Sequence, residues 1–500
     1  MSNSGVSYWS QTLFWTIGLD TMVLSLANDG RGLANYVPWL TSDPGSTSGL
    51  VDLLRSRLKP NVDFGYTYGP LTVVVSYAYA AVFGNDHLPQ LVLLSVLKIL
   101  RTLLFLRILA NIAMPPFLSW IAAAGAILYC QMGSILAIPA EQLMLLMAIV
   151  GYQTDRPRLT LAALTLAIGF RPAVGLFMGL PCLLWIASNN FGKPNIFRVM
   201  LRDIAPSIAI FFSTAFTYIA LTNVPSYLRT IVPLAGAKMY SAMEPGSIWT
   251  DGFKHFLGES SALKDIFINT HWINLICLIS ILPAIGICLS HSGDDKTRRV
   301  GLASGLIVVT ALLFLYGNKE ATAYVRYRPF FWLAGVSSLA IVAERCRMFS
   351  HGFAGILGTG LAVRVAAAAI NVSSGLRPAD SIVVSGTALS IPRNTHMELL
   401  TIHGIVGDSE VTVFEGMGDA KLLKYYDIRG ASRRYWCLRN GLNTDTEVQR
   451  IRADLRHAQY IIVMLTPNPH RDTYRHAFLG HSVLVFRGST FEVFRVGAAG

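Results

Sequence analysis

Asn61-Val62-Asp63-Phe64-Gly65-Tyr66-Thr67-Tyr68-Gly69-Pro70-Leu71 leads into an apolar run that ends at Gly84. Whether that run crosses a bilayer sets the orientation of everything after it. Its opening has the composition of an interfacial segment, with rings flanking an acid and a proline where a helix would begin.

The surroundings are membrane-like. Of 500 residues, 53% are hydrophobic and only 14% are charged, against roughly 25% charged in soluble domains. The deficit of charge runs through residues 1–371. A bilayer hides that much apolar surface and a water-soluble fold does not. The net charge of +12 reads as topogenic, because basic residues collect in short loops between apolar runs. No basic tract interleaved with aromatics is present, which argues against nucleic acid. Cys130, Cys182, Cys277, Cys288 and Cys346 lie in or beside apolar runs without CxxC spacing. That pattern speaks against a disulfide framework and a zinc site. Gln11–Ala27 has no basic segment before it and no small-residue cleavage site after it, so it reads as a retained anchor.

Candidate spans are 11–27, 88–110, 116–132, 134–151, 159–170, 173–188, 204–221, 270–290, 300–317, 330–345 and 352–371. Those within 134–188 are short for the roughly 20 residues of a perpendicular span, so broken or tilted hairpins are expected there. If Pro70–Gly84 does not cross, Arg101, Arg107, Arg156, Arg158, Lys193, Arg198, Arg202, Lys296, Arg298, Arg299, Arg345 and Arg347 all fall toward one face. The positive-inside rule asks for that arrangement. Pro70–Gly84 is therefore expected as a juxtamembrane or re-entrant helix.

The expected fold is a polytopic α-helical membrane protein of about 11 transmembrane helices with a C-terminal α/β extracytoplasmic domain. Its N-terminus lies in the cytoplasm of a multi-pass inner-membrane or plasma-membrane protein. Residues 1–371 form the membrane module, with outer loops 28–87, 222–269 and 318–329, and residues 372–500 form the tail. In the tail, Ile382–Ser385, Val411–Phe414, Tyr460–Leu465, Ser482–Phe486 and Phe491–Val496 read as strands. Asp445–Ala458 reads as an amphipathic helix carrying Val448, Ile451 and Leu455.

Ionisable residues gather at the outer ends of the spans. Asp29 closes the first span beside Gly30 and Gly32. A partly desolvated carboxylate there has a general base's chemistry; the plainer reading is a helix-ending turn. Asp63 holds its loop, orients Asp29 or binds sugar hydroxyls, with Tyr66 and Tyr68 beside it as substrate contacts. Glu141 follows Ile138-Pro139-Ala140, and Arg171-Pro172 interrupts the apolar stretch 159–188. Buried charge at such depth marks a site or a partner. Arg171 either pairs with Glu141 or meets an anionic head group. Lys319, Arg326 and Arg328 make the most basic short loop on the outer face, and a lipid phosphate accounts for that exception. Tyr227, Arg229, Lys238, Tyr240 and Trp249 are weaker candidates for an acceptor groove. Gly355, Gly358 and Gly360 read as helix packing, and His470, His476 and His481 lack metal-ligand spacing.

This layout resembles the GT-C superfamily of polyprenyl-phosphate-sugar-dependent glycosyltransferases. Asp63-Phe64 and Tyr68-Gly69-Pro70-Leu71 carry the most specific part of the likeness. The resemblance implies an inverting transfer of a sugar from a polyprenyl phosphate to a glycan, lipid or protein acceptor at the outer face. Asp29 would then be the catalytic base. Many members carry a second acid beside it, where this chain has Asn28, and Asp63 is the substitute. Arg171, Lys319, Arg326 and Arg328 would hold the donor phosphate as negative charge develops on it. Glu141 would join the substrate-binding residues. The scheme needs no cofactor or metal, although some relatives bind a divalent ion. The competing readings are a flippase or transporter of lipid-linked glycans and an O-antigen-type polymerase or ligase. Neither the paired broken helices of a transporter nor a large late outer loop is apparent in the sequence.

Overall fold

The computed structural model describes residues 11, 14–16, 43–84, 87–129, 136–191, 196–232, 295–318, 327–345, 381–384, 387–390, 393–413, 423, 426–428, 445–465 and 478–497. Most of the expected first span, the expected spans 270–290 and 352–371, and the boundary at 371 lie outside them.

The described helices are α1 (Asp43–Arg55), α2 (Pro70–Phe83), α3 (His87–Ala110), α4 (Pro116–Tyr129), α5 (Ala137–Gln153), α6 (Pro157–Phe170), α7 (Pro172–Asn190), α8 (Ile196–Leu221), α9 (Val224–Ile231), α10 (Asp295–Asn318) and α11 (Arg328–Arg345). Prolines write several of the starts. Pro70, Pro157 and Pro172 each stand in the first helical turn, where an amide would lack a partner. Arg171 is extended, with φ −146° and ψ 108°, as a residue before proline prefers. It separates α6 from α7 and makes the broken hairpin expected between 134 and 188. The 14 residues of α6 reach only about 21 Å, short of the roughly 30 Å hydrocarbon core. Among the described residues, Met200–Leu221 is the one stretch of helix long and apolar enough to span a membrane. It lies on the outside of the bundle, and Leu201, Phe212 and Phe216 leave their side chains exposed.

Among the described residues, ion pairs of the bundle lie at its two ends. At one end Arg158 Nε pairs with Asp203 at 3.1 Å, and Arg299 Nη1 pairs with Asp155 at 3.2 Å. There too the Ala113 amide donates to Thr297 Oγ1 at 3.1 Å. The other end gathers Gly69, Glu141, Phe170, Arg171 and Tyr327, described below. Between them lies an apolar core of Phe105, Leu109, Leu145, Ile149, Leu164, Phe331 and Trp332. The Trp332 indole is satisfied by the Ala122 carbonyl at 3.1 Å.

One expectation needs correcting. Arg101 is not a face-marking charge. It is fully buried, and its Nη1 donates to Gln142 on α5. A guanidinium that finds a partner inside the bundle carries no topological information.

The tail forms two sheets. β1 (Ser381–Val384) and β2 (Thr387–Ser390) make an antiparallel hairpin. β3 (Val411–Val413), β4 (Tyr460–Met464), β5 (Val483–Arg487) and β6 (Phe491–Arg495) make a four-stranded sheet ordered β3-β4-β6-β5, with β3 parallel to β4. Strand alternation gives each face its own helix. Ile462 packs with Leu399, Ile402 and Val406 of α12 (Arg393–Val406). Ile461 and Val463 pack with Ile451 and Leu455 of α13 (Asp445–His457). β2 and α12 were not read from the sequence, although Leu399, Ile402 and Val406 carry the helical spacing. On α13, Val448 is only half-buried, and Glu447 is buried instead.

Candidate active site

The loop preceding α2 is organised by Asn61. Its backbone has φ 58°, a left-handed conformation that asparagine tolerates. Asn61 Oδ1 accepts from the Tyr66 amide at 2.9 Å, and Nδ2 donates to Thr230 on α9 at 2.9 Å. Arg229 Nη1 donates to the Asn61 carbonyl at 3.1 Å, so α9 grips the loop by side chain and backbone. Asn223 caps α9 by accepting from the Ser226 amide at 2.8 Å. Phe64 and Tyr66 are buried in a cluster with Leu50, Leu53, Val73 and Tyr218. Burial, helped by the neighbouring Tyr68 and Tyr218 phenols, pushes the Tyr66 phenol well above its ordinary range. Tyr66 is therefore a neutral core group. Tyr68, T-stacked on it at 5.7 Å, is partly exposed and packs against Ala137 and Ile138 at the start of α5.

Gly69 brings this loop onto the α6–α7 break. Its amide donates to the Phe170 carbonyl at 2.8 Å, and Thr72 Oγ1 donates to the same oxygen at 3.1 Å. A Cβ on Gly69 would stand 2.3 Å from the Gly169 carbonyl oxygen. Only glycine admits this approach, and it sets Tyr68 and Gly69 beside Arg171.

Arg171 and Glu141 form the ion pair. Arg171 Nη1 lies 3.4 Å from Glu141 Oε2, with both side chains buried. The Tyr327 hydroxyl donates to Glu141 Oε1 at 3.2 Å. Tyr327 is itself buried and immediately precedes α11, whose first residue is Arg328. The backbone at Tyr327 and Arg328 is thereby fixed beside the pair. A buried ion pair repays its desolvation only with good geometry and added hydrogen bonds, and Tyr327 supplies one. Burying two charges at the end of an apolar bundle is expensive.

Asp63 sits apart from that pair. Oδ2 accepts from the Lys59 amide at 2.9 Å, and Oδ1 pairs with Arg450 Nη1 of α13 at 2.7 Å. Both carboxylate oxygens thus have partners that hold the loop. Asp29, Lys319 and Arg326 lie outside the described residues, and Arg328 is described in its backbone only. Of the weaker candidates, Tyr227 is buried in the loop's cluster, while Lys238, Tyr240 and Trp249 lie outside the described residues. No group of three or more metal-ligating side chains occurs among the described residues. Sequence reasoning gave no role to Tyr327, Gln142, Asn61, Glu447 or Arg450. The first stood in plain view inside Tyr324-Val325-Arg326-Tyr327-Arg328-Pro329.

No protein-family pattern and no curated protein matches this sequence. Five solved protein chains do match its fold, two states of ArnT among them. ArnT from Cupriavidus metallidurans bound to undecaprenyl phosphate superposes with a TM-score of 0.53 at 13% identity, covering 100% of this chain and 99% of its own. The same protein in its apo state gives 0.51 at 13% identity, covering 99% and 98%. ArnT is a GT-C family polyprenyl-phosphate-sugar glycosyltransferase. The likeness to GT-C proteins read from Asp63-Phe64 and Tyr68–Leu71 therefore holds at the level of the fold, along the whole chain.

Proposed function

We propose that this chain, sharing the ArnT fold from end to end, is an inverting glycosyltransferase that moves a sugar from a polyprenyl phosphate to an acceptor at the outer face of a membrane. The carrying observation is the Tyr327–Glu141–Arg171 cluster. It ties the start of α5, the α6–α7 break and the start of α11 together at one bundle end. Gly69 adds the outer loop to the same place. The end holding Arg158, Arg202, Arg298 and Arg299 is then cytoplasmic, and the tail is extracytoplasmic.

Asp29 takes the acceptor hydroxyl's proton while the acceptor oxygen bonds to the anomeric carbon. The bond from that carbon to the phosphate oxygen breaks on the opposite side, and the electron pair leaves with the phosphate. Lys319, Arg326, Arg328 and Arg171 balance the charge that develops there. Asp63 serves by holding the loop, and Tyr68 is the substrate contact favoured over the buried Tyr66. ArnT's undecaprenyl phosphate supports a lipid phosphate as the donor's carrier.

The test is incubation of the purified protein with candidate polyprenyl-phosphate sugars and an acceptor extract. Release of free polyprenyl phosphate is expected. Movement of intact lipid-linked sugar across vesicles without release would favour a flippase.

A further inference from the structure

The outer loop is held from a second direction. Glu447 and Arg450 both lie on α13 and both reach back to it. Glu447 Oε2 accepts from the Gly65 amide at 3.3 Å, across 382 positions of sequence. The Glu447 side chain is fully buried, yet the packing of α13 on its sheet runs through Ile451 and Leu455. A buried amide needs an acceptor, and Glu447 Oε2 supplies it for Gly65. Arg450 closes on Asp63 one turn along. Asp63 meanwhile holds the Lys59 amide, so one side chain joins the loop's closure to the tail. Gly65 to Gly69 spans at most about 14 Å of extended chain. The grip therefore falls directly upstream of Tyr68 and of the Gly69–Phe170 hydrogen bond.

We propose that α13 is a positioning element for the donor site, with Glu447 and Arg450 setting the outer loop through Gly65 and Asp63. This rests on the glycosyltransferase reading for its functional consequence, but the mechanical link is measurable without it. It makes the tail part of the catalytic apparatus rather than an appended module. It also gives Asp63 the role of a latch.

The experiment uses the full chain in lipid nanodiscs, comparing wild type, Arg450→Asp, Arg450→Lys, Glu447→Gln and the charge swap Asp63→Arg with Arg450→Asp. Amide exchange is followed at Lys59, Gly65 and Tyr66, and donor KM and kcat are measured alongside. Arg450→Asp is expected to speed exchange at these amides about tenfold, the size of one lost charge-assisted hydrogen bond. It should raise donor KM several-fold while kcat stays within about twofold. Arg450→Lys and Glu447→Gln should each keep most of both values; the swap should restore donor KM and exchange at Gly65 and Tyr66, while Lys59, deprived of its Asp63 acceptor, stays fast. Unchanged exchange in Arg450→Asp overturns the proposal, as does faster exchange with unaltered donor KM in a chain that transfers sugar. If the wild type transfers no sugar at all, the glycosyltransferase reading fails, and the exchange data alone decide whether the tail holds the loop.

Discussion

The Tyr327 hydroxyl donates to the Glu141 carboxylate at 3.2 Å, across 186 positions of sequence. That bond joins the start of α5 to the start of α11, and through the Glu141–Arg171 pair it reaches the α6–α7 break. The graded cost of dismantling the cluster is the first consequence. Glu141→Ala leaves the Arg171 charge buried without its carboxylate, at a cost of about 3–5 kcal/mol. Tyr327→Phe keeps the ring and forfeits one charge-assisted hydrogen bond, about 1.5–3 kcal/mol. Thermal melting in detergent should fall for both, and further for Glu141→Ala. Equal melting of the two variants would mean that the pair is not carrying the cluster.

Gly69→Ala should be more damaging than a single methyl suggests. The added carbon would meet the Gly169 carbonyl oxygen at 2.3 Å and the carbonyl carbon of Phe170 at 3.0 Å. Both obstacles are backbone, so neither can rotate aside. Overpacking of this kind costs about 1–3 kcal/mol. A lower melting temperature and weaker donor binding are expected together. A variant that melts and binds like wild type would show that α2 does not press on the α6–α7 break.

Acid should loosen the tail sheet through Glu398. Burial alone would raise this carboxyl's pKa. The Ser489 hydroxyl and the amides of Thr490, Ser489 and Phe491 outweigh it and leave the group below the usual glutamate range. A carboxylate with a depressed folded-state pKa adds stability above its unfolded value and loses it as pH falls through the folded one. Protection of the Ser489, Thr490 and Phe491 amides, taken relative to the intrinsic exchange rate at each pH, should therefore fall on acidification in wild type. In Glu398→Gln the protection should already be lower near neutrality and respond less to acid. An identical pH response in the two proteins would remove Glu398 from this role.

Arg326→Ala and Arg328→Ala test the cations of the basic loop. Each should weaken binding of a polyprenyl-phosphate sugar by roughly ten- to a hundredfold, the range for one lost hydrogen bond to a charged group. Titration of purified variants with a fluorescent donor analogue measures this. Donor affinity unaltered in both would place the phosphate elsewhere.

The sequence reading reached the helices more readily than the contacts between them. Pro70, Pro157 and Pro172 announce helix starts in the letters alone, and apolar runs separate the helices. The Glu141–Arg171 pair was open as one of two alternatives, because two buried opposite charges at the same bundle end have few other ways to be satisfied. Arg101 misled, since a basic residue near a span end looks like a topology signal until Gln142 is seen beside it. Tyr66 reads as a substrate contact because it stands beside Asp63 in an interfacial stretch, and only three-dimensional packing with Val73 and Tyr218 reveals it as core. Glu447 and Arg450 were invisible for a different reason. Their partners are hundreds of residues away, and no local spacing encodes a contact between two separately folded segments.

In the proposed mechanism Asp29 removes the acceptor's proton. The direct measurement is turnover of a polyprenyl-phosphate sugar by purified Asp29→Asn, with donor binding measured on the same preparation. Loss of polyprenyl phosphate release with donor affinity intact is the predicted result. Release at the wild-type rate would contradict it.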